Sequence, residues 1–166
     1  MSIGERCPLL VLGIGSPFGA DRLGWQVVEG LLEGAANEPA LPVHERLCLD
    51  RPGLGLLAHL EGRWGVILVD AVRHQGRTGQ IHVIRPCQLA FAQTRLSSHS
   101  AGVAESLQLA QILRLWPTRL RVYGIEMPAE GEDDGPQERL DAQRRLACLI
   151  RRCLRQWHGA YLRRMT

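Results

Sequence analysis

The sequence predicts a three-layer α/β/α sandwich with a mostly parallel sheet of about five strands. Strand-like and helix-like segments alternate along the chain, an order that is typical of parallel sheets covered by helices. Two of the strand-like segments, residues 9–14 and 65–70, are almost unbroken apolar runs. Such runs indicate strands that are buried on both faces, as the strands of a parallel sheet are.

The N-terminal half supplies three of the predicted strands. Residues 9–14 form the first, and residues 23–32 follow as a helix whose apolar side chains recur at three- and four-residue spacing. Residues 43–49 alternate between polar and apolar side chains, which predicts a strand with one solvated face. Residues 54–60 form a short helix, and the apolar run at 65–70 predicts the central strand.

The C-terminal half continues the alternation. Residues 80–84 predict a strand after two glycine turns, and the link from Asp70 is too short for a helical crossover, so this strand is expected to run antiparallel. A helix over 101–115 ends before Pro117, and residues 120–125 form the last predicted strand. Pro136 is a favourable first residue for a final helix. The apolar stripe of that helix consists of Leu146, Leu149, Ile150, Cys153, Leu154, Trp157 and Tyr161.

Length and composition predict one globular domain over residues 1–166. The net charge is only +3, and the basic residues near the C-terminus are interpreted as a solvated helix face, with an acidic partner or nucleic acid as the alternative. These residues are Arg144, Arg145, Arg151, Arg152, Arg155, Arg163 and Arg164. We therefore expect no nucleic-acid partner. We also expect no membrane association, since no segment approaches the about 20 apolar residues that a transmembrane helix needs.

The cysteines predict a reduced, cytoplasmic protein. There are five, an odd number, and no two are spaced as C-x-x-C, so neither a disulfide framework nor a structural zinc site is expected. The absence of a secretory signal pattern favours the same compartment. Cys48 lies in a predicted strand and Cys153 on the apolar face of the last helix, so both are interpreted as core residues rather than nucleophiles.

Three polar residues, two after apolar strands and one before a helix, are the candidate catalytic and metal-binding groups. Asp70 ends the central apolar strand, and Asp21 lies just beyond the first strand. His99 occupies the polar loop at residues 97–100, just before a helix. Ligands of open α/β sheets bind at the carboxyl edge, so two carboxylates and an imidazole at that edge predict a metal-dependent hydrolytic site.

Each of these residues also has a structural explanation. Asp21 is placed to cap the first helix, Asp70 to accept hydrogen bonds from a neighbouring turn, and His99 to be held by adjacent serines. Gly13 and Gly15 resemble the start of a dinucleotide fingerprint, but Phe18 stands where the third glycine is required. The two glycines are then interpreted as a tight turn, or as residues that let the loop present Asp21.

Two further segments lie at predicted strand ends. Residues 50–55, with Asp50, Gly53 and Gly55, follow the second strand and form either a turn with a helix cap or a rim that grips a peptide. Glu126 ends the last strand, where a structural hydrogen bond or a salt bridge to an arginine is expected. The remaining histidines belong to no evident ligand pattern.

Taken in order, these motifs resemble the maturation endopeptidases of nickel–iron hydrogenases. They cover the chain from Leu9 to about Glu126. The matching segments are Gly13-Ile14-Gly15-Ser16, Ala20-Asp21-Arg22-Leu23-Gly24, Asp50-Arg51-Pro52-Gly53-Leu54-Gly55, Val69-Asp70-Ala71, Ser97-Ser98-His99 and Gly124-Ile125-Glu126.

The resemblance implies an endopeptidase that removes the C-terminal extension of a hydrogenase large-subunit precursor after nickel insertion. The metal-contacting residues of the family fall on Asp21, Asp70 and His99, and the nickel is expected to arrive with the precursor. The chain departs from the family at Ser16, Ala20, Arg22, Arg51 and Pro52. Because of these departures, a second hypothesis is that the chain is a non-catalytic binding module of the hydrogenase assembly machinery. A nucleotide-binding domain is the third hypothesis.

Overall fold

The computed structural model describes residues 6–32, 41–73, 76–85, 98–128 and 135–166. The strands are β1 (Leu9–Gly15), β2 (Glu45–Asp50), β3 (Gly65–Val72), β4 (Ile81–Ile84) and β5 (Arg119–Glu126). The helices are α1 (Leu23–Glu29), α2 (Leu56–Leu60), α3 (Ser98–Ile112) and α4 (Pro136–Met165). Short 3-10 turns at Gly19–Arg22, Gly30–Leu32 and Gly53–Gly55 adjoin these helices.

All five strands form one sheet in the order β2-β1-β3-β5-β4. β1, β2, β3 and β5 are parallel, and β4 pairs antiparallel with β5. The predicted fold class and the predicted antiparallel strand are therefore confirmed. The chain moves from β1 to one side of the sheet and then returns to the other, so the strand order reverses between β1 and β3. In open α/β sheets such a reversal creates a crevice at the carboxyl ends of the two strands.

Helices cover both faces of the sheet, and each face has its own apolar core. On one face Val11, Ile67 and Val69 pack with α1 and α4. On the other face Leu12 and Leu68 pack with α2 and α3. Because alternate residues of β1 and β3 serve opposite faces, both strands are apolar throughout their paired length, which explains the apolar runs in the sequence.

Three details differ from the sequence-based predictions. β3 continues to Val72, two residues past Asp70, because β5 pairs with it over its whole length. α3 begins at Ser98, so His99 lies in the first helical turn and not in a loop. Cys153 is buried, as predicted, but Cys48 is exposed, because it faces the margin of α1 at the edge of the sheet.

The predicted helix over 101–115 ends at Ile112. The four remaining strands and the other helices agree with their predicted positions to within a few residues. The acidic segment 130–134 and most of the segment 85–97 lie outside the described residues. None of the helices in the described ranges is both long and apolar enough to cross a membrane.

Candidate active site at the carboxyl edge of the sheet

Asp70 is a buried carboxylate at the point where β3 loses one of its two neighbours. β1 pairs with β3 only as far as Gly13 and Val69, whereas β5 continues alongside to Glu126. The Asp70 residue is 5% exposed, and its side chain shares a face with Leu68. A carboxylate is therefore held within an otherwise apolar row, between Leu68 and Val72, next to the β1–β3 crevice.

Glycines bring the Asp21 segment over the end of β1. The 3-10 turn Gly19–Arg22 contacts both β1 and β3. A Cβ on Gly15 would collide with the Asp21 carbonyl oxygen, and a Cβ on Gly24 would lie 2.7 Å from the Val69 carbonyl oxygen. No residue with a side chain fits at either position without displacement of the backbone. This geometry favours the interpretation that the glycines let the loop present Asp21.

The capping alternative for Asp21 receives no support from α1. The residue at the cap position is Arg22, and it makes no side-chain hydrogen bond to the helix. Asp21 itself is partly buried and, like Asp70, interacts with another group in the fold. The two carboxylates belong to segments that touch, on either side of the β1–β3 junction.

His99 lies in the first turn of α3, and its side chain is outside the described part of the chain. α3 packs through Val103 and Leu107 on the face of the sheet that also carries Asp70. Its first turns lie at the carboxyl edge, because Gly102 lies against Gly53, beyond the end of β2. The backbone of α3 thus brings His99 to the expected edge, and the position of its ring stays a prediction.

Among the side chains that the structure describes, no three histidine, cysteine, aspartate or glutamate residues are arranged to hold a metal ion. The His99 ring is not one of these side chains. The proposed set of Asp21, Asp70 and His99 therefore stays a prediction, and the two described members are oxygen donors of the type that hard divalent cations prefer.

The rim segment after β2 is fixed at both ends. The Arg51 N–H donates to the Gly15 carbonyl oxygen (3.2 Å), which joins the segment to the end of β1. The Ser106 hydroxyl of α3 donates to the Gly53 carbonyl oxygen (2.7 Å). Asp50 and Gly55 are exposed. The predicted rim residues therefore lie at the carboxyl edge, between β1 and the N-terminal half of α3.

A hydrogen-bonded pair that the sequence did not indicate lies at the same edge. His82 Nε2 donates to Glu126 Oε2 (2.7 Å), and Glu126 is 2% exposed. Of the two kinds of partner expected for Glu126, a structural hydrogen bond or a salt bridge to an arginine, this pair is the structural hydrogen bond. Asp70 and His82 both pair in register with Gly124, one from each side. Because Gly124 has no side chain, nothing from β5 stands between them at this level of the sheet.

Two of the described cysteines, Cys48 and Cys153, have thiols whose surroundings do not activate them as nucleophiles. Burial raises the pKa of the Cys153 thiol. The Cys48 residue is exposed, but partial desolvation of its thiol raises its pKa, and the nearby Glu29 carboxylate adds to that effect. A raised pKa lowers the thiolate fraction at neutral pH, and the thiolate is the nucleophilic form. Both thiols are therefore poor candidates for covalent catalysis.

The fold of this chain is similar to that of solved hydrogenase maturation proteases. It matches the hydrogenase maturating endopeptidase HybD from Escherichia coli with a TM-score of 0.68 and 22% identity, over 87% of this chain and 93% of that one. It matches the nickel–iron hydrogenase maturation protease HybD from Thermococcus kodakarensis with a TM-score of 0.66 and 17% identity, over 88% and 98%. At these identities the likeness shows a shared fold.

Sequence similarity points to two hydrogenase expression/formation proteins. The chain is 35% identical to the hydrogenase expression/formation protein HupD of Rhodobacter capsulatus over 132 residues, 76% of this chain and 60% of the relative. It is 29% identical to HupM of Azotobacter chroococcum over 135 residues, 80% of this chain and 63% of the relative. The chain thus spans about three fifths of the length of these curated relatives. No protein-family profile matches it. The resemblance to the maturation proteases is confirmed.

Proposed function

We propose that this protein is an endopeptidase that removes the C-terminal extension of a nickel–iron hydrogenase large-subunit precursor after nickel insertion. The fold of the maturation proteases and the similarity to HupD support this function. One structural observation carries it furthest. The Asp21 turn lies directly over Gly15 and contacts β3, the strand in which Asp70 is buried. Two carboxylate-bearing segments therefore meet at the crevice where this fold binds ligands.

In this proposal Asp21, Asp70 and His99 contact the nickel ion that the precursor brings to the site. Imidazole nitrogen is a donor that suits nickel, and ionised carboxylates supply compensating charge. A divalent ion at such a site polarises a carbonyl oxygen or lowers the pKa of a bound water. The donor set of the two described residues and the helical position of His99 are compatible with this chemistry.

The protein's own residues would strengthen the interaction of Asp70 with a cation and would position the substrate. The apolar side chains around Asp70 lower the local dielectric, which strengthens the interaction of its carboxylate with a cation. The rim segment 50–55 is held by hydrogen bonds to β1 and α3. Asp50, Gly53 and Gly55 are therefore proposed as part of a preformed surface along which the precursor polypeptide lies.

Incubation with a nickel-loaded precursor tests the proposal. The parent protein should shorten the precursor. Asp70→Asn, Asp21→Asn and His99→Ala should each slow processing by more than about 100-fold. Loss of a residue that only supports a metal ligand costs up to about 100-fold, and loss of a ligand itself should cost more. The control is Asp141→Asn, an exposed carboxylate on α4 whose nearest ion-pair partner, Arg144, is 3.9 Å away. Gel mobility and intact mass measure the product. Parent-like processing by Asp70→Asn and His99→Ala would contradict the assignment.

A second candidate function is a non-catalytic binding module of the hydrogenase assembly machinery. The observation that favours it is the altered rim, in which Arg51 takes a left-handed backbone conformation where the family is rich in glycine. This candidate predicts a complex with the precursor that persists after nickel loading, with no change in precursor mass. Analytical gel filtration of the nickel-loaded mixture distinguishes the two functions.

A further inference from the structure

Arg51 has an unfavourable backbone conformation next to the candidate site. Its φ is +43°, in the left-handed region that glycine adopts without steric cost. In the described part of the chain the one other non-glycine residue with positive φ is Arg114, with φ +59°. Residues in sparsely populated conformations persist only where their surroundings hold them, and they cluster at functional sites. The conformation of Arg51 is therefore a reason to look for a role of its side chain.

The surroundings hold both the backbone and the inner part of the Arg51 side chain. The backbone N–H donates to the Gly15 carbonyl oxygen (3.2 Å). The side-chain Nε donates to Asp50 Oδ1 (2.8 Å). Among the described residues the terminal nitrogens Nη1 and Nη2 have no hydrogen-bond partner, and the side chain is 53% exposed. The guanidinium group is thus oriented by one edge, while its outer edge faces solvent.

The position of this group connects it with the candidate site. The hydrogen bond to Asp50 raises the pKa of Arg51, and the charges of Asp50 and Asp21 raise it further. The Arg51 N–H donates to the Gly15 carbonyl oxygen, and the Asp21 carbonyl oxygen lies against the same glycine, so the rim segment and the Asp21 turn are adjacent. Leu54, two residues beyond Pro52 in the same rim segment, is 61% exposed. The rim thus presents a cation and an apolar side chain from a backbone that β1 and α3 hold in place.

We propose that Arg51 is a specificity-determining residue that binds a carboxylate of the precursor polypeptide through Nη1 and Nη2. This inference rests on the proposed function for the identity of the polypeptide. The planar guanidinium fork matches a carboxylate with two parallel hydrogen bonds, which an ammonium group does not. The Asp50 contact orients the fork before binding, so less side-chain freedom is lost. The carboxylate belongs to an acidic side chain of the extension or to the terminus of the precursor.

Three protein variants separate recognition from backbone strain. Arg51→Gly removes the fork and the left-handed strain together, and Arg51→Lys keeps the charge and the strain but removes the fork. Arg114→Gly is the matched control, because it relieves the same kind of strain after α3, at the other end of the sheet. Both glycine variants should leave the Tm unchanged or raise it by up to about 4 °C.

Binding of the nickel-loaded full-length precursor is the decisive measurement. Arg51→Gly should weaken binding by about tenfold or more, Arg51→Lys by less, and Arg114→Gly not at all. Two altered precursors locate the carboxylate. One has the acidic side chains of its extension changed to amides, and the other has a glycine–serine tail that moves the terminal carboxylate away. The precursor that lacks the recognised carboxylate should bind the parent and Arg51→Gly equally.

Parent-like binding by Arg51→Gly overturns the inference, and so does a Tm loss in Arg51→Gly large enough to account for the weaker binding. Equal sensitivity of both altered precursors to Arg51→Gly also overturns it, because no carboxylate then depends on this residue. If the parent binds through Arg51 but never shortens the precursor, the inference stands and the endopeptidase function fails. If the parent does not bind the precursor, both fail.

Discussion

At the scale of single residues, Gly15 decides where Asp21 lies. Its φ is +159°, and the site of its missing Cβ is occupied by the Asp21 carbonyl oxygen. Glycine is therefore needed at this position mainly because two backbone segments approach closely, and its conformational flexibility is the smaller reason. Since the same residue accepts a hydrogen bond from Arg51, it contacts both the Asp21 turn and the rim segment. A change at Gly15 should disturb both.

Gly15→Ala is expected to destabilise the protein by about 1–3 kcal/mol, because an added methyl group must displace backbone at a packed junction. Processing of the precursor should fall as well, since the Asp21 turn is pushed outward. The control is Gly30→Ala, where a Cβ meets nothing within 4 Å and alanine should be neutral or stabilising by about 0.5–1 kcal/mol. Urea denaturation followed by circular dichroism measures both. Equal stability of the two variants would contradict this account of Gly15.

At the scale of elements, β4 is a four-residue strand at one edge of the described sheet. It pairs with β5 on one side, antiparallel, and Val83 is 61% exposed. The hydrogen bond between His82 and Glu126 joins the side chains of these two strands at the carboxyl edge. Because Glu126 is buried, removal of His82 would take away a short hydrogen bond that stabilises its carboxylate. We therefore expect the pair to stabilise the edge on which Asp70 also lies.

A double-mutant cycle with His82→Ala and Glu126→Ala should give a coupling free energy of about 1.5–3 kcal/mol, the range for hydrogen bonds to charged groups. The amides of β4 should lose hydrogen-exchange protection in either single variant. The exposed pair Gln137 and Asp141 on α4, joined at 3.1 Å, is the control and should couple by about 0.2–0.5 kcal/mol. A coupling for His82 and Glu126 as small as that of the control pair would refute a stabilising role.

At the scale of the whole molecule, two apolar cores share one sheet. Leu146 of α4 belongs to the core on one face, and Leu107 of α3 belongs to the core on the other. β1 and β3 contribute alternate side chains to both cores. Loss of packing on one face therefore weakens the strands that the other face requires, and the two layers of helices should unfold together.

Leu107→Ala and Leu146→Ala should each cost about 2–5 kcal/mol, as expected for a large buried side chain removed from a packed core. Each variant should still unfold in a single transition, with coincident midpoints from tryptophan fluorescence and circular dichroism. Leu149 was predicted to lie on the apolar stripe of α4, but it is 43% exposed. Leu149→Ala should therefore cost about 1 kcal/mol or less. Separate transitions for the two faces would show that the cores fold independently.

Most of the fold could be predicted from the sequence because burial on two faces leaves a local pattern. β1 and β3 are apolar runs since both of their faces are covered, and α4 carries an apolar stripe at helical spacing. The antiparallel β4 followed from a link too short for a crossover. The order of the motifs also predicted the resemblance to hydrogenase maturation proteases. Each of these features depends on residues close together in the chain.

Features that depend on contacts between distant segments were decided by the tertiary structure. The pairing of His82 with Glu126 requires the register of β4 on β5, and the extension of β3 past Asp70 requires β5 as a neighbour. The exposure of Cys48 follows from the position of β2 at the sheet edge. The left-handed conformation of Arg51 depends on the end of β1, because no pattern in residues 50–55 encodes the hydrogen bond to Gly15. Local periodicity specifies which faces are buried, but only the packed sheet specifies which side chains meet at its edge.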